Sequence, residues 1–201
     1  MVMKYPKIQF GTVEAVWNKL GGEEGVQRFL RDELVVFEVE KLATAPTLLI
    51  SPPQVIRRVK VNRNRTPQEA IDATGRVQYI DSKVVEGMPR GEGDEMDVEF
   101  FKPEAWEYTR PGYMSDDDLE KALNRRGLSN DPVAVAAANE ADPSLADKMP
   151  HGTHWKDSEG KWCYATFDRW GDERGVDVDR RGSGWNDGWW FAGSRKISPQ
   201  V

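Results

Sequence analysis

With 201 residues, 38% of them apolar and 31% charged, the chain suits one ordinary domain, or one domain with a small appendage. Its eight Trp, seven Phe and five Tyr separate it from disordered sequences, which lack aromatics. A formal net charge of −6 suits duplex DNA poorly, the longest apolar runs (34–37, 48–50 and 133–138) are far shorter than the roughly 20 residues of a membrane helix, and a single cysteine, Cys163, excludes an internal disulfide and a multi-cysteine zinc site.

The charge is unevenly spread. Residues 1–68 hold 11 Lys/Arg against 7 Asp/Glu, residues 69–150 hold 9 against 19, and residues 151–201 hold 8 against 8. Residues 1–10 carry Lys4 and Lys7 without the apolar stretch of a leader peptide, so a cytoplasmic, membrane-free protein is expected.

In chain order, Val13, Val16, Trp17 and Leu20 recur at helical spacing and predict a first helix, capped by Thr12 and stopped by Gly21-Gly22. Val26, Phe29 and Leu30 restart the period. Glu23 and Glu24 at the start of this second helix would repel phosphate, so the pair reads as a helical cap and not a DNA reader. Residues 34–39 and 47–50 read as strands. From 55 to 62, Val59 and Val61 alternate with Arg58 and Lys60, giving one buried and one cationic face. Thr66, Pro67 and Glu69 spell a capping box, and 77–81 is a further strand. In 96–101, Met96, Val98 and Phe100 oppose Asp97 and Glu99. Ser115 caps a helix with Asp116–Asp118 at its positive end and Arg125 and Arg126 at its negative end, closed by a Gly127-Leu128 Schellman stop. Asp131-Pro132 opens an Ala-rich helix and Asp142-Pro143 a shorter turn.

After His151 the texture changes. Six of the eight Trp lie between Trp155 and Trp190. Strand-like runs at 153–156, 161–170, 176–181 and 189–196, separated by Gly- and Asp-rich turns, predict an antiparallel meander. The expected organisation is an α+β fold: a short N-terminal helical pair, a mixed α/β middle and a C-terminal Trp-rich antiparallel sheet. Its parts are an α+β region (1–150), the meander packed on it (151–196) and a tail (197–201).

The runs GTVEAVWNKLGGEEGVQRFLRDEL, VNRNRTPQEAIDATGRVQYID and HGTHWKDSEGKWCYATFDRW…GWNDGWWFAGSRK cover most of the chain. They resemble small uncharacterised proteins of candidate-phyla-radiation (patescibacterial) bacteria. The resemblance implies a bacterial, cytoplasmic protein; no site residue is carried over from it.

Three groups of residues bear on function. In strand 161–170, Trp162, Tyr164 and Trp170 share a face with Thr166 and Asp168, while Cys163, Ala165 and Phe167 point the other way. Trp185 and Trp189 extend that aromatic row. Flat rings beside Asn, Asp and Arg suit stacking on a ligand or on a partner's side chains. The alternative is that the rings fill the interface between sheet and helices. The second group is Arg57, Arg58, Lys60, Arg63 and Arg65, cations for phosphate or an acidic partner, unless the acidic run 92–99 lies beside them and neutralises them. The third is His151, His154 and Cys163, weak zinc ligands at best, because two His three apart on a strand face opposite ways. No Walker A, nucleophile elbow or dinucleotide fingerprint occurs. The leading expectation is a non-catalytic, cofactor-free binding protein that presents Trp162, Tyr164, Trp170, Trp185 and Trp189 to an unknown protein or small ligand. The alternatives are single-stranded nucleic-acid binding through 57–65 plus stacking Trp, and a metal-dependent enzyme using His151, His154 and Cys163.

Overall fold

A computed structural model describes residues 17, 20, 22–31, 53–180 and 184–196. The chain divides into two units, 1–49 and 50–201. In the first, Trp17 and Leu20 are helical, Gly22 takes a φ of 78°, and α1 (Gly22–Leu30) follows with Glu23 and Glu24 in its first turn. The remainder of the first predicted helix, the strands predicted at 34–39 and 47–50 and the tail lie outside the described residues.

The second unit builds its helices where the sequence places their caps. Thr66 and Glu69 form a complete capping box for α2 (Pro67–Asp72). Asp81 caps α3 (Ser82–Glu86). Ser115 accepts from the Asp118 N–H at the start of α4 (Asp116–Arg125). That helix ends in a Schellman motif: the Leu128 N–H reaches Leu123 O at 3.0 Å and the Gly127 N–H reaches Asn124 O at 3.0 Å, with Gly127 at φ 65°. Asp131 caps α5 (Pro132–Ala141), and α6 (Leu145–Lys148) follows.

The strands are β1 (Gln54–Lys60), β2 (Val77–Ile80), β3 (Glu95–Phe101), β4 (Tyr113–Met114), β5 (His151–Lys156), β6 (Trp162–Trp170), β7 (Glu173–Arg180), β8 (Trp185–Asn186) and β9 (Trp190–Lys196). Seven of them form one mixed sheet in the order β1-β3-β9-β5-β6-β7-β2, while β4 and β8 make a separate ribbon. The fold is α+β. β5, β6 and β7 are the expected antiparallel meander. β9 does not extend it beyond β7; it runs parallel to β5 and antiparallel to β3, stitching the C-terminal strands to the middle of the chain. β2 closes the other edge, parallel to β7.

Alternation along the strands gives the sheet two faces. The first holds Val59, Met96, Val98, Phe100, Ala165, Phe167, Val176 and Val178 beneath apolar residues of α2, α3, α5 and α6. α5 is buried almost all round, as an Ala-rich helix pressed on a sheet must be. The described residues cover the second face in its middle, where α4 contributes Leu119, Ala122 and Leu123 to a cluster with Phe101, Phe191, Trp185 and Met114. β3 is therefore buried on both sides there: Phe101 is fully buried and Glu99, on the face opposite Phe100, is 4% exposed and accepts from Arg195 at 2.5 Å. Gly152 is required under this cluster, since a Cβ there would lie 2.6 Å from the Trp185 ring.

A polar chain crosses the first face. His151 Nδ1 donates to Met149 O (2.7 Å), which leaves Nε2 to accept from Asn139 Nδ2 (2.9 Å), and Asn139 Oδ1 accepts from Arg76 (3.0 Å). Burial, opposed in part by the Met149 carbonyl, pulls His151 down to about 4 from 6.5. The depressed value means its contribution is complete above pH 6.5 and is lost as pH falls toward 4, about 3 kcal/mol in all. Urea unfolding between pH 7 and 4 should show this loss in the wild type and a flatter response in His151→Phe. Equal slopes in the two proteins would refute it.

Candidate functional site

Beyond the edge of α4, none of the described helices covers the second face of β6, β7 and β2. Register places Trp170 opposite Glu173, Asp168 opposite Gly175 and Thr166 opposite Asp177, and Tyr79 beside Asp177. These side chains line a hollow of about 280 Å³ together with Trp189. Trp170 is 85% exposed and Tyr79 57%. Trp189 is partly buried and stands edge-on to Trp185 at 6.2 Å. The 186–189 turn is held by Asn186 Oδ1, which accepts from the Gly188 N–H (2.9 Å), and by Lys102, which donates to the carbonyls of Asp187 and Gly188.

The hollow is acidic. The Tyr79 hydroxyl donates to Glu173 Oε1 at 2.6 Å, and this bond raises the phenol's pKa. The Tyr164 hydroxyl donates to Asp177 Oδ2 at 3.1 Å. Asp168 faces Gly175, where a Cβ would stand 3.1 Å from Oδ1, so the glycine keeps the floor open. Burial raises the Asp168 carboxyl, against the pull of Arg76.

The predicted aromatic row is split by this geometry. Trp170, Trp189 and the flank of Tyr164 belong to the open face. Trp162 lies flat on His154 (4.4 Å, 9°) with Lys156 at 4.5 Å from its ring, away from the hollow. Trp185 is fully buried, and its Nε1 donates to Asp116 (2.8 Å); it packs the core beneath α4 and offers no ring to a ligand. Tyr79 and Glu173 were not singled out by the sequence. The available signal was the alternation of Val77 and Tyr79 in a strand flanked by Gly75 and Asp81, but only tertiary pairing brings that strand beside β7.

The cationic stretch is largely occupied. β1 pairs with β3 so that Arg58 meets Asp97 and Lys60 meets Glu95 in register, with Arg58 and Asp97 3.0 Å apart. Arg63 is bidentate on Asp131 and also donates to the carbonyls of Arg90 and Gly93. Arg65 pairs with Glu140. Arg57 and Lys60 are exposed, and Lys60 borders a hollow of about 610 Å³ shared with Asn62, Arg65 and Glu140.

His151, His154 and Cys163 do not converge. His151 pairs with Phe167 and His154 with Tyr164 across β5 and β6, which sets the two imidazoles on opposite faces. Cys163 sits on the first face with its thiol pushed up by burial, the reverse of an activated nucleophile. Among the described residues no group of three His, Cys, Asp or Glu side chains is arranged to hold a metal ion. No helix of the described residues is long and apolar enough to cross a membrane. No protein-family model, curated protein or solved structure matches the chain.

Proposed function

We propose that this chain is a non-catalytic binding protein whose contact surface is the uncovered end of the aromatic sheet face, centred on Trp170, Tyr79 and Trp189. One observation carries the reading: an indole 85% exposed stands beside a phenol 57% exposed over one hollow lined by carboxylates. Large aromatics clustered in the open mark contact sites more often than they mark idle surface. The acidic lining of the hollow supports a partner other than nucleic acid, because Asp168, Glu173 and Asp177 would repel phosphates next to the rings on which bases would stack. Three of the five cations in 57–65 are held in ion pairs, which supports the same conclusion.

The test is binding of the full chain to an array of peptides, glycans and single-stranded oligonucleotides at two salt concentrations, beside Trp170→Ala/Tyr79→Ala. Both positions are exposed, so the double variant should melt within about 2 °C of the wild type. Its binding should fall about tenfold or more. Array binding unchanged in the double variant would overturn the reading. Salt-steep oligonucleotide binding that survives in it would move the contact to Arg57 and Lys60.

A further inference from the structure

We infer that the hollow between Trp170, Tyr79 and Trp189 receives the guanidinium of an arginine presented on an exposed segment of a partner protein. The inference rests on the binding reading above and adds the chemistry of the ligand. Charge complementarity is its basis. Asp168 lies at the floor of the hollow opposite Gly175 and takes no side-chain hydrogen bond from the described residues. Glu173 stands at the rim with one oxygen engaged by Tyr79. None of the described residues lining the hollow is lysine or arginine. Asp168, Glu173 and three π faces, with no cation among the described lining residues, are the complement of a flat cation, which can stack on indole or phenol while forking onto a carboxylate.

The same chain shows this combination satisfied elsewhere in the fold. At Glu107 the Arg126 guanidinium is bidentate on the carboxylate and lies 4.1 Å from the Phe101 ring centre, while Arg125 lies 4.8 Å from that of Trp106. The hollow has the acid and the rings but no arginine among its described residues. Its volume, about 280 Å³, is small for a ligand pocket and suits one side chain rather than a nucleotide. Lysine fits less well, since a compact, strongly hydrated ammonium neither stacks nor forks. The neighbouring surface argues for an arginine within a polypeptide over free arginine. Val77 is 46% exposed on the terminal strand of the sheet and gives residues flanking the arginine an apolar seat.

The experiment is a titration of the full chain, followed by Trp fluorescence and by indole N–H resonances, with four probes. These are acetyl-Gly-Ala-Arg-Ala-Gly-amide, its lysine and citrulline counterparts, and free arginine. The arginine peptide should saturate with Kd on the order of 1 mM, as one buried side chain allows. The lysine peptide should bind about fivefold more weakly, the citrulline peptide and free arginine about tenfold. Asp168→Asn should reduce the arginine peptide to the citrulline level without lowering the melting temperature. Equal binding of arginine and citrulline peptides, or indifference to Asp168→Asn, would overturn the guanidinium assignment. Free arginine binding as well as the peptide would overturn the partner-protein source. Array binding that depends on Trp170 and Tyr79 but comes from arginine-free ligands would remove this inference and leave the proposed function standing, whereas array binding indifferent to both rings removes the two together.

Discussion

Replacing Glu107 by alanine is expected to destabilise the second unit by about 3–5 kcal/mol, the largest single effect predicted for this chain. Glu107 is 5% exposed and its oxygens accept from Arg126 at 2.7 and 2.6 Å and from Arg125 at 2.7 and 3.2 Å. The Glu104 N–H adds a bond of 2.9 Å. The substitution leaves Arg126, with its side chain 16% exposed, facing no anion, and an uncompensated charge is what makes breaking such a pair costly. Glu107→Gln keeps the shape and part of the bonding and should cost less. Urea unfolding of the two variants distinguishes a buried charge from simple packing; Glu107→Ala within about 1 kcal/mol of the wild type would overturn the account. The acid response carries the same signature. Burial alone would raise Glu107, but the bonds from Arg126, Glu104 and Arg125 outweigh it and hold the carboxyl at about 2, below its ordinary 4.5. Its contribution is therefore complete above pH 4.5 and lost as pH falls toward 2. That window lies below the His151 window, so wild-type stability should fall through two pH ranges, and only the lower fall should become shallower in Glu107→Gln, since Asp118, Glu120 and Asp147 share it.

Local chemistry was legible in the sequence wherever the partners are close in the chain. The Thr66 capping box, the Ser115 cap and the Gly127-Leu128 stop depend on residues within six positions of one another, and the structure holds all three. The division of β6 into an apolar and an aromatic face was legible for the same reason, because alternation alone decides it. What strand period cannot say is what covers each face. Trp185 and Trp189 sit four residues apart in one turn-rich run, yet one is sealed under α4 and the other rims the hollow. Glu107 lay in the stretch 102–113 that no periodicity resolves, and its partners Arg125 and Arg126 read as ordinary helix-terminal cations. Tyr79 and Glu173 are 94 residues apart and meet only because β2 pairs in parallel with β7, an arrangement set by long-range packing and not by either segment.

The second large effect belongs to His154, at best a weak zinc candidate on the sequence alone, which the structure makes a clasp. Its Nδ1 lies 3.2 Å from Asp116 Oδ1 and its Nε2 3.2 Å from Glu120 Oε2. Both oxygens already act as acceptors, Asp116 Oδ1 from the Trp185 indole and Glu120 Oε2 from Asn130 Nδ2. The fully buried ring is thereby held at both edges, one carboxylate against each nitrogen. The bond from His154 is the chief cause that holds Glu120 at about 2. The two carboxylates face opposite edges of one ring, so they cannot close on a single ion together with it. They instead fasten successive turns of α4 to β5, and Trp162 stacks on the exposed side. His154→Phe preserves the ring and the stacking but leaves Asp116 and Glu120 without their shared partner, so it should cost about 2–4 kcal/mol. Adding Asp116→Asn and Glu120→Gln to His154→Phe should return part of that loss, because neutral amides tolerate an apolar neighbour better than carboxylates do. If His154→Phe alone matches the wild type in urea, the ring contributes only packing. If the triple variant is no better than the single, the charges are not what the histidine holds.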